Sequence, residues 1–202
     1  MKEERKYAIE ACRGICDSLA EYGFVTAKNG LSASRMVDKD IGQEICFQIN
    51  RYQQITIHFH LYSRKVKDWY KERYQLKDAG LLTGLGEQLG YITPGKDWHE
   101  WYIAKSDLAK EQFRKEALER IHTYLLPYLE KFRNLPGFIE ELYQSGGKIS
   151  PWHNSCRALP LIFVWVYEKE KAQSLLDKYI DMNPIMKKYI IENEVHTEKF
   201  DP

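Results

Sequence analysis

The sequence lacks any long hydrophobic run. Its longest apolar stretch, 158–167, is about half the length a bilayer-spanning helix needs, and Pro160 interrupts it. No membrane span is expected. An excess of one charge is lacking too: 30 Lys and Arg stand against 29 Asp and Glu, a formal net of +1. No whole-protein field therefore draws in nucleic acid or an anionic membrane. Cysteine is scarce, and Cys12, Cys16, Cys46 and Cys156 follow neither zinc-finger nor thioredoxin spacing. Cys12 and Cys16 fall one helical turn apart on an apolar stripe, so buried reduced thiols and a reducing, cytoplasmic compartment are expected. The opening residues mix acids and bases with no apolar run behind them, which does not read as a signal peptide. Gly80, Gly84, Gly86 and Gly90 cluster, but no Gly-Lys-Ser/Thr or GxGxxG arrangement opens a helix there. That excludes a phosphate loop. No G-x-S-x-G elbow is present, no cysteine sits in an activating neighbourhood, and no internal repeat is clear.

What is present is a well-patterned globular chain. At 202 residues with 44% hydrophobic and 29% charged residues, it can bury roughly 70% of its unfolded surface and needs no staples. The cleanest pattern lies in 41–62. Ile45, Phe47 and Ile49 alternate with Glu44, Cys46, Gln48 and Asn50. Across a turn, Ile55, Ile57, Phe59 and Leu61 alternate with Gln54, Thr56, His58, His60 and Tyr62. Period-two alternation of this length predicts a half-buried antiparallel pair whose apolar side needs helices to cover it.

The flanks supply the cover. A helix is predicted over 4–21 from Ala8, Cys12, Ile15, Cys16 and Leu19, with Gly23 as its C-cap. Strands at 24–28 and 31–37 around Asn29-Gly30 complete a four-stranded meander. A short basic surface helix follows at 64–73, held by Val66, Trp69 and Tyr70, then a loop or frayed helix at 78–90. A second hairpin is expected from 89–93 and 98–103. Ser106 and Asp107 start the longest helix, whose buried face is Phe113, Ala117, Ile121, Tyr124, Leu125 and Leu129, with a kink or break at Pro127. Beyond 134 the pattern is helical, and 158–167 reads as a buried helix with strand as the alternative. The expectation is an α+β fold: an antiparallel meander sheet on an N-terminal helix and a long helix, 1–134, with an all-helical extension, 135–202, packed on it.

Several of these segments carry a family likeness. Gly23-Phe24, 47–50, Leu89-Gly90-Tyr91, 97–101, and Leu126-Pro127 with Leu129 and Phe132 together make 19–132 resemble the domain-of-unknown-function 4304 family. In that pattern the second hairpin carries adjacent tryptophans; here His99 and Glu100 separate Trp98 from Trp101. The resemblance implies an α+β fold. The family has no established activity, so it implies no catalytic residue.

Three groups of residues carry possible chemistry. His58 and His60 are two apart on a strand, hence on one side, where both imidazoles could meet a zinc ion with Cys46, Gln48 or Glu44 beside them and His99 or His153 completing the set. Two histidines on a polar sheet face need no metal to explain them, and that plainer reading leads. In a strand from 98 to 102, Trp98, Glu100 and Tyr102 share one side and His99 and Trp101 the other. One tryptophan is then core and the other is open to stacking on a sugar, base or peptide, although the plainer reading, a sheet-edge aromatic packed beneath a helix, leads. Trp152 and His153 follow Pro151 in a loop and could recognise a partner or plug the terminal helices. The basic stretch 64–73 is diluted by Asp68 and Glu72 and reads as a solvated helix face. The preferred reading is a non-catalytic binding protein with a protein partner, such as a bacterial immunity or accessory factor, using Trp98, His99, Trp101, Trp152 and His153 and no cofactor. The alternative is a metal-assisted hydrolase, with zinc at His58 and His60.

Overall fold

Side-chain alternation decides the centre of the molecule. The computed structural model describes residues 3–74, 84–103 and 106–134. Four strands, β1 (Val25–Thr26), β2 (Ser32–Met36), β3 (Ile41–Ile49) and β4 (Gln54–Ser63), run in sequence order as a meander. Ile41, Ile45, Ile55, Ile57, Phe59 and Leu61 are fully buried and Phe47 nearly so, while Glu44, Cys46, Gln48, His58 and His60 keep some exposure on the other face. Each fully buried side chain of this size contributes about 1.5–3 kcal/mol, so the apolar face sets the register. In that register Ala33 lies opposite Ile45 on the covered face and Ser34 opposite Glu44 on the other.

The expected turn at Asn29-Gly30 forms, and side chains close it and the turn that follows β3. Asn29 Oδ1 accepts the Leu31 N–H at 3.0 Å, and Gly30 takes the left-handed φ of 70° that closes the β1–β2 hairpin. Between β3 and β4, Asn50 Oδ1 accepts from the N–H groups of Tyr52 and Gln54 at 2.8 and 3.0 Å. Gln53 then sits at φ 63°, the left-handed last position of a three-residue hairpin loop.

The first helix, α1 (Glu3–Ser18), buries Ala8, Ala11, Cys12, Ile15 and Cys16 against β1, β2 and β3. A 3-10 turn (Leu19–Tyr22) extends it and ends on left-handed Gly23, the expected cap. After β4 come α2 (Arg64–Tyr74) and then β5 (Gly84–Gln88) and β6 (Trp101–Tyr102). The helix α3 (Asp107–Arg120) starts as predicted, with Ser106 Oγ accepting the Ala109 N–H at 3.1 Å, and packs on α1. Ahead of Pro127 the helix widens into a π turn (Ile121–Leu125) before α4 (Leu126–Glu130). Proline has no N–H to give the carbonyl one turn back, and the wider turn is where the ladder adjusts. Phe113, Ala117, Ile121, Leu125 and Leu129 are buried as expected, whereas Tyr124 is only half-buried. The π turn carries it off the stripe that regular helical spacing predicts.

Three further expectations are corrected. Within 78–90, residues 84–88 are a strand, not loop or frayed helix. The second hairpin is also absent: Leu89–Ile92 is a 3-10 turn, and Trp101 and Tyr102 pair with Ile55 and Gln54 of β4 instead of with residues 89–93. Gln88 is the cause. Its fully buried side chain accepts the Gly90 N–H at 2.6 Å and donates to the His99 carbonyl, so it satisfies the groups a ladder between the two segments needs. The β1 strand is also shorter than the predicted 24–28.

The chain forms two compact units, Met1–Leu61 with Gly86–Arg133, and Tyr62–Leu85 with Asn134–Pro202. In the second unit, α2 is the predicted helix over the basic stretch, with Lys71 and Asp68 paired at 3.9 Å. The side chains of Val66, Trp69 and Tyr70, the helices expected beyond 134 and Cys156 lie outside what is described. Among the described residues no helix is long and apolar enough to cross a membrane.

A glutamine at φ 63° carries a steric cost, and Gln53 Oε1 is in addition buried with no partner among the described residues. A left-handed non-glycine residue costs about 1–2 kcal/mol, of which glycine's extra unfolded-state entropy takes back about 0.5–1 kcal/mol. Gln53→Gly therefore stabilises the protein, by about 0.5–1 kcal/mol in urea denaturation; an unchanged or lower midpoint contradicts this.

Candidate functional site

The face of the sheet opposite the apolar core collects the residues that carry chemistry. Ile55 and Ile57 point into the core, so Gln54, Thr56, His58 and His60 of β4 are forced to the opposite side. Along the free edge of β4 the chain returns in two pieces. Gly86 of β5 lies against the Phe59 carbonyl and the His60 ring, where an added Cβ would collide with both. β6 rejoins at Gln54 and Ile55. Between them, residues 89–100 leave the ladder as a loop.

That loop places the tryptophans. Gly90 passes so close to the Asp97 carbonyl that no Cβ fits, and Thr93 Oγ1 donates to the Gly90 carbonyl at 2.6 Å. The loop lays Trp98 over the outer face: its ring meets His58 edge-on at 5.8 Å and Tyr91 at 6.3 Å between centroids, and its indole N–H donates to Glu100 Oε2 at 3.3 Å. Trp98 remains 52% exposed. Trp101, three residues on, is 7% exposed and packs on Phe113 at 5.6 Å and His99 at 4.3 Å, with the Arg120 guanidinium 5.9 Å above its ring. Its indole N–H finds no acceptor among the described residues. Of the two, Trp98 belongs to the surface and Trp101 to the core. Gln54 extends the site, donating from Nε2 to Glu100 and accepting from Asn50 Nδ2 at 2.7 Å.

The histidines differ in setting. His58 Nε2 and Thr56 Oγ1 share a hydrogen bond at 2.9 Å. Burial holds the pKa of His60 below its ordinary value of 6.5, although Glu44 and Glu87 pull it upward. His99 is lowered as well, by burial first and then by Arg120, against Asp97 and Glu116. Burial pushes the Cys46 thiol up to about 12, with Glu44 adding to it. The Cys16 thiol also rises to about 12, and that of Cys12 rises further, again chiefly through burial. Among the described residues, no group of three or more His, Cys, Asp or Glu is arranged to hold a metal ion.

The structure thus brings Trp98 to His58 and places His60 beside Gly86, one alternation further along β4. His99 and Trp101 meet each other instead, under the edge of the sheet. Trp152 and His153 lie outside the described residues. Glu100, Gln54 and Tyr91 are neighbours of Trp98 that motif spacing does not single out, because the loop fold that assembles them depends on Gln88 and Gly90. Comparison of the chain with protein-family models, with curated proteins and with solved structures yields no match in any of the three.

The two tryptophans predict opposite outcomes. Trp101→Ala empties core volume and costs about 3–5 kcal/mol of unfolding free energy. Trp98→Ala costs about 1 kcal/mol or less, the loss of two ring contacts at a half-open position. Chemical denaturation of both variants distinguishes them, and equal costs contradict the assignment of one to core and one to surface.

The lowered pKa of His60 has a worked sign. Unfolded, the imidazole takes up its proton near pH 6.5; folded, it does so only at lower pH. Between those values the unfolded chain binds more protons, so stability present above pH 6.5 falls as the pH drops toward the folded value. His60→Gln removes this part of the dependence. Denaturation midpoints from pH about 8 to about 5 therefore fall less steeply in the variant than in wild type, and parallel curves contradict the assignment.

Proposed function

We propose that this chain is a non-catalytic binding protein whose ligand surface is the outer face of the sheet around Trp98. The observation that carries this reading is the presentation of that side chain. A half-exposed tryptophan is fixed by His58, Tyr91 and Glu100 in place of being buried or left loose. An amphipathic ring held at low entropic cost is what a recognition surface uses. The thiols of Cys12, Cys16 and Cys46 are kept protonated by burial, so the chain presents contact area here without an activated sulfur nucleophile. Those free thiols suit a reducing, cytoplasmic compartment. A protein partner, as for an immunity or accessory factor, fits the same surface. The likeness of 19–132 to the domain-of-unknown-function 4304 family adds the fold class and no activity.

A second reading, zinc-assisted hydrolysis at His58 and His60, draws on their shared face and on the carboxylates of Glu44 and Glu87 near His60. Elemental analysis of protein purified without added metal separates the two. Stoichiometric zinc or iron, lost when both histidines become alanine, favours the hydrolase.

Affinity capture tests the binding reading. Wild-type protein immobilised in an extract of the cells that make it retains a partner, as does Leu108→Ala, altered at an exposed apolar position of α3 away from this face. Trp98→Ala loses that partner. Equal recovery on Trp98→Ala, or metal-dependent turnover across a broad hydrolase panel, sinks the reading.

A further inference from the structure

We propose that the surface around Trp98 is a saccharide site that takes an uncharged oligosaccharide; this rests on the binding reading above and names its ligand. Three of the exposed large side chains lie on the segments that meet where β3 turns into β4 and β6 joins: Tyr52 at 61% exposure in the turn, Tyr102 at 71% on β6, and Trp98 at 52%, linked through Glu100 to Gln54 at the start of β4. Tyr102 stands opposite Gln54 in the ladder, hence on the outer face, and Tyr52 lies in the turn that Asn50 closes.

Between the rings lies a fixed set of planar polar groups. Asn50 Nδ2 donates to Gln54 Oε1 at 2.7 Å, Gln54 Nε2 donates to Glu100 Oε1, and the Trp98 indole donates to Glu100 Oε2 at 3.3 Å. A carboxylate has about four acceptor positions, so each Glu100 oxygen still has one to offer. A pyranose ring has a face of C–H groups and a rim of hydroxyls. The exposed aromatic rings match the first, and the amide and carboxylate match the second. Because these groups already hold one another, little side-chain freedom is lost on binding.

Charge narrows the class. Along the chain, Arg51 and Lys96 beside Tyr52 and Trp98 are balanced by Asp97 and Glu100. Arg51 is moreover set over the Tyr52 ring at 4.7 Å. A phosphate, a sulfate or a nucleic acid strand meets no cation surplus here. A hydrogen-bonded carboxylate beside an aromatic ring serves a hydroxyl-rich ligand well. A neutral saccharide is the ligand class that uses every one of these groups.

An array of neutral oligosaccharides built on glucose, galactose, mannose and N-acetylhexosamines, with a heparin hexamer as the anionic control, tests this, followed by calorimetry on the hits. Wild type binds at least one neutral series with little salt dependence. Trp98→Ala and Glu100→Ala weaken it about tenfold or more, and Tyr102→Ala weakens it too, while Trp98→Phe, which keeps an aromatic platform, stays within a few-fold. Far-UV circular dichroism checks that each variant folds. No binding across the neutral array at millimolar ligand, binding unchanged in both Trp98→Ala and Tyr102→Ala, or a salt-dependent preference for heparin overturns the proposal. If the sugars fail while Trp98-dependent capture of a protein persists, only the saccharide assignment falls; if both fail, the binding reading falls with it.

Discussion

Ile55, Ile57, Phe59 and Leu61 are buried in one strand at every second residue, and that regularity leaves the intervening side chains no choice of side. Four such burials outweigh any preference of the polar residues between them, since a slip of one residue would expose all four. His58 and His60 therefore face outward because of their neighbours' chemistry and not their own. The same constraint places Gln54 opposite Tyr102, where it meets Glu100 and, through Glu100, Trp98.

On the covered face one buried polar side chain, Gln43, is held by hydrogen bonds at both ends. Gln43 sits between Ile41 and Ile45 with no exposed surface, donating from Nε2 to the Leu129 carbonyl at 2.8 Å and accepting from Arg35 Nε at 2.9 Å. Arg35 continues to Glu130 at 3.0 Å and to the Tyr22 carbonyl at 2.8 Å. The last carbonyls of a helix have no partner within the helix, so this side chain meets a need the helix itself creates. α4 is tied to the sheet by these bonds as well as by Leu126, Leu129 and Phe132, which are buried at the same junction. α1 and α4 thus pack on one and the same face of the sheet.

How much of this was legible in the sequence follows from the range of each interaction. The alternation in β3 and β4, the Asn29-Gly30 turn, the Gly23 cap, the Ser106 cap and the break before Pro127 are local, so their residues reveal them. The outward pair His58 and His60 follows from the same local period, whereas the exposure of Trp98 comes from the loop that carries it and not from strand alternation. The misread segments depend on contacts between residues far apart in the chain. The 84–88 strand is glycine-bearing and gains its identity from the β4 edge, with Gly86 needed because the His60 ring lies where a Cβ would be. The supposed hairpin of 89–93 and 98–103 fails because one buried glutamine, Gln88, satisfies backbone groups that pairing would have claimed. Gln43 reads in sequence as an interruption of the apolar side, and only the helix end beyond 126 explains it.

The interrupted return strand links the fold to the proposed binding surface. A continuous strand along β4 from 84 to 102 would pair the whole edge and leave its side chains alternating in register, with no reach over the face. Breaking it at Gln88 gives up ladder bonds beside the middle of β4. In exchange the loop carries Trp98 onto His58 while β5 and β6 still cover both ends of the edge, limiting the exposed stretch open to unwanted pairing. The lost ladder bonds are offset within the loop by the Gln88 side chain, the Thr93 hydroxyl and the turn ending at Lys96, whose N–H donates to the Thr93 carbonyl at 3.0 Å. Edge protection alone would be met more simply by an unbroken strand. An excursion stabilised by this many local bonds, ending with an aromatic side chain laid on a polar face, makes sense as the means of presenting Trp98.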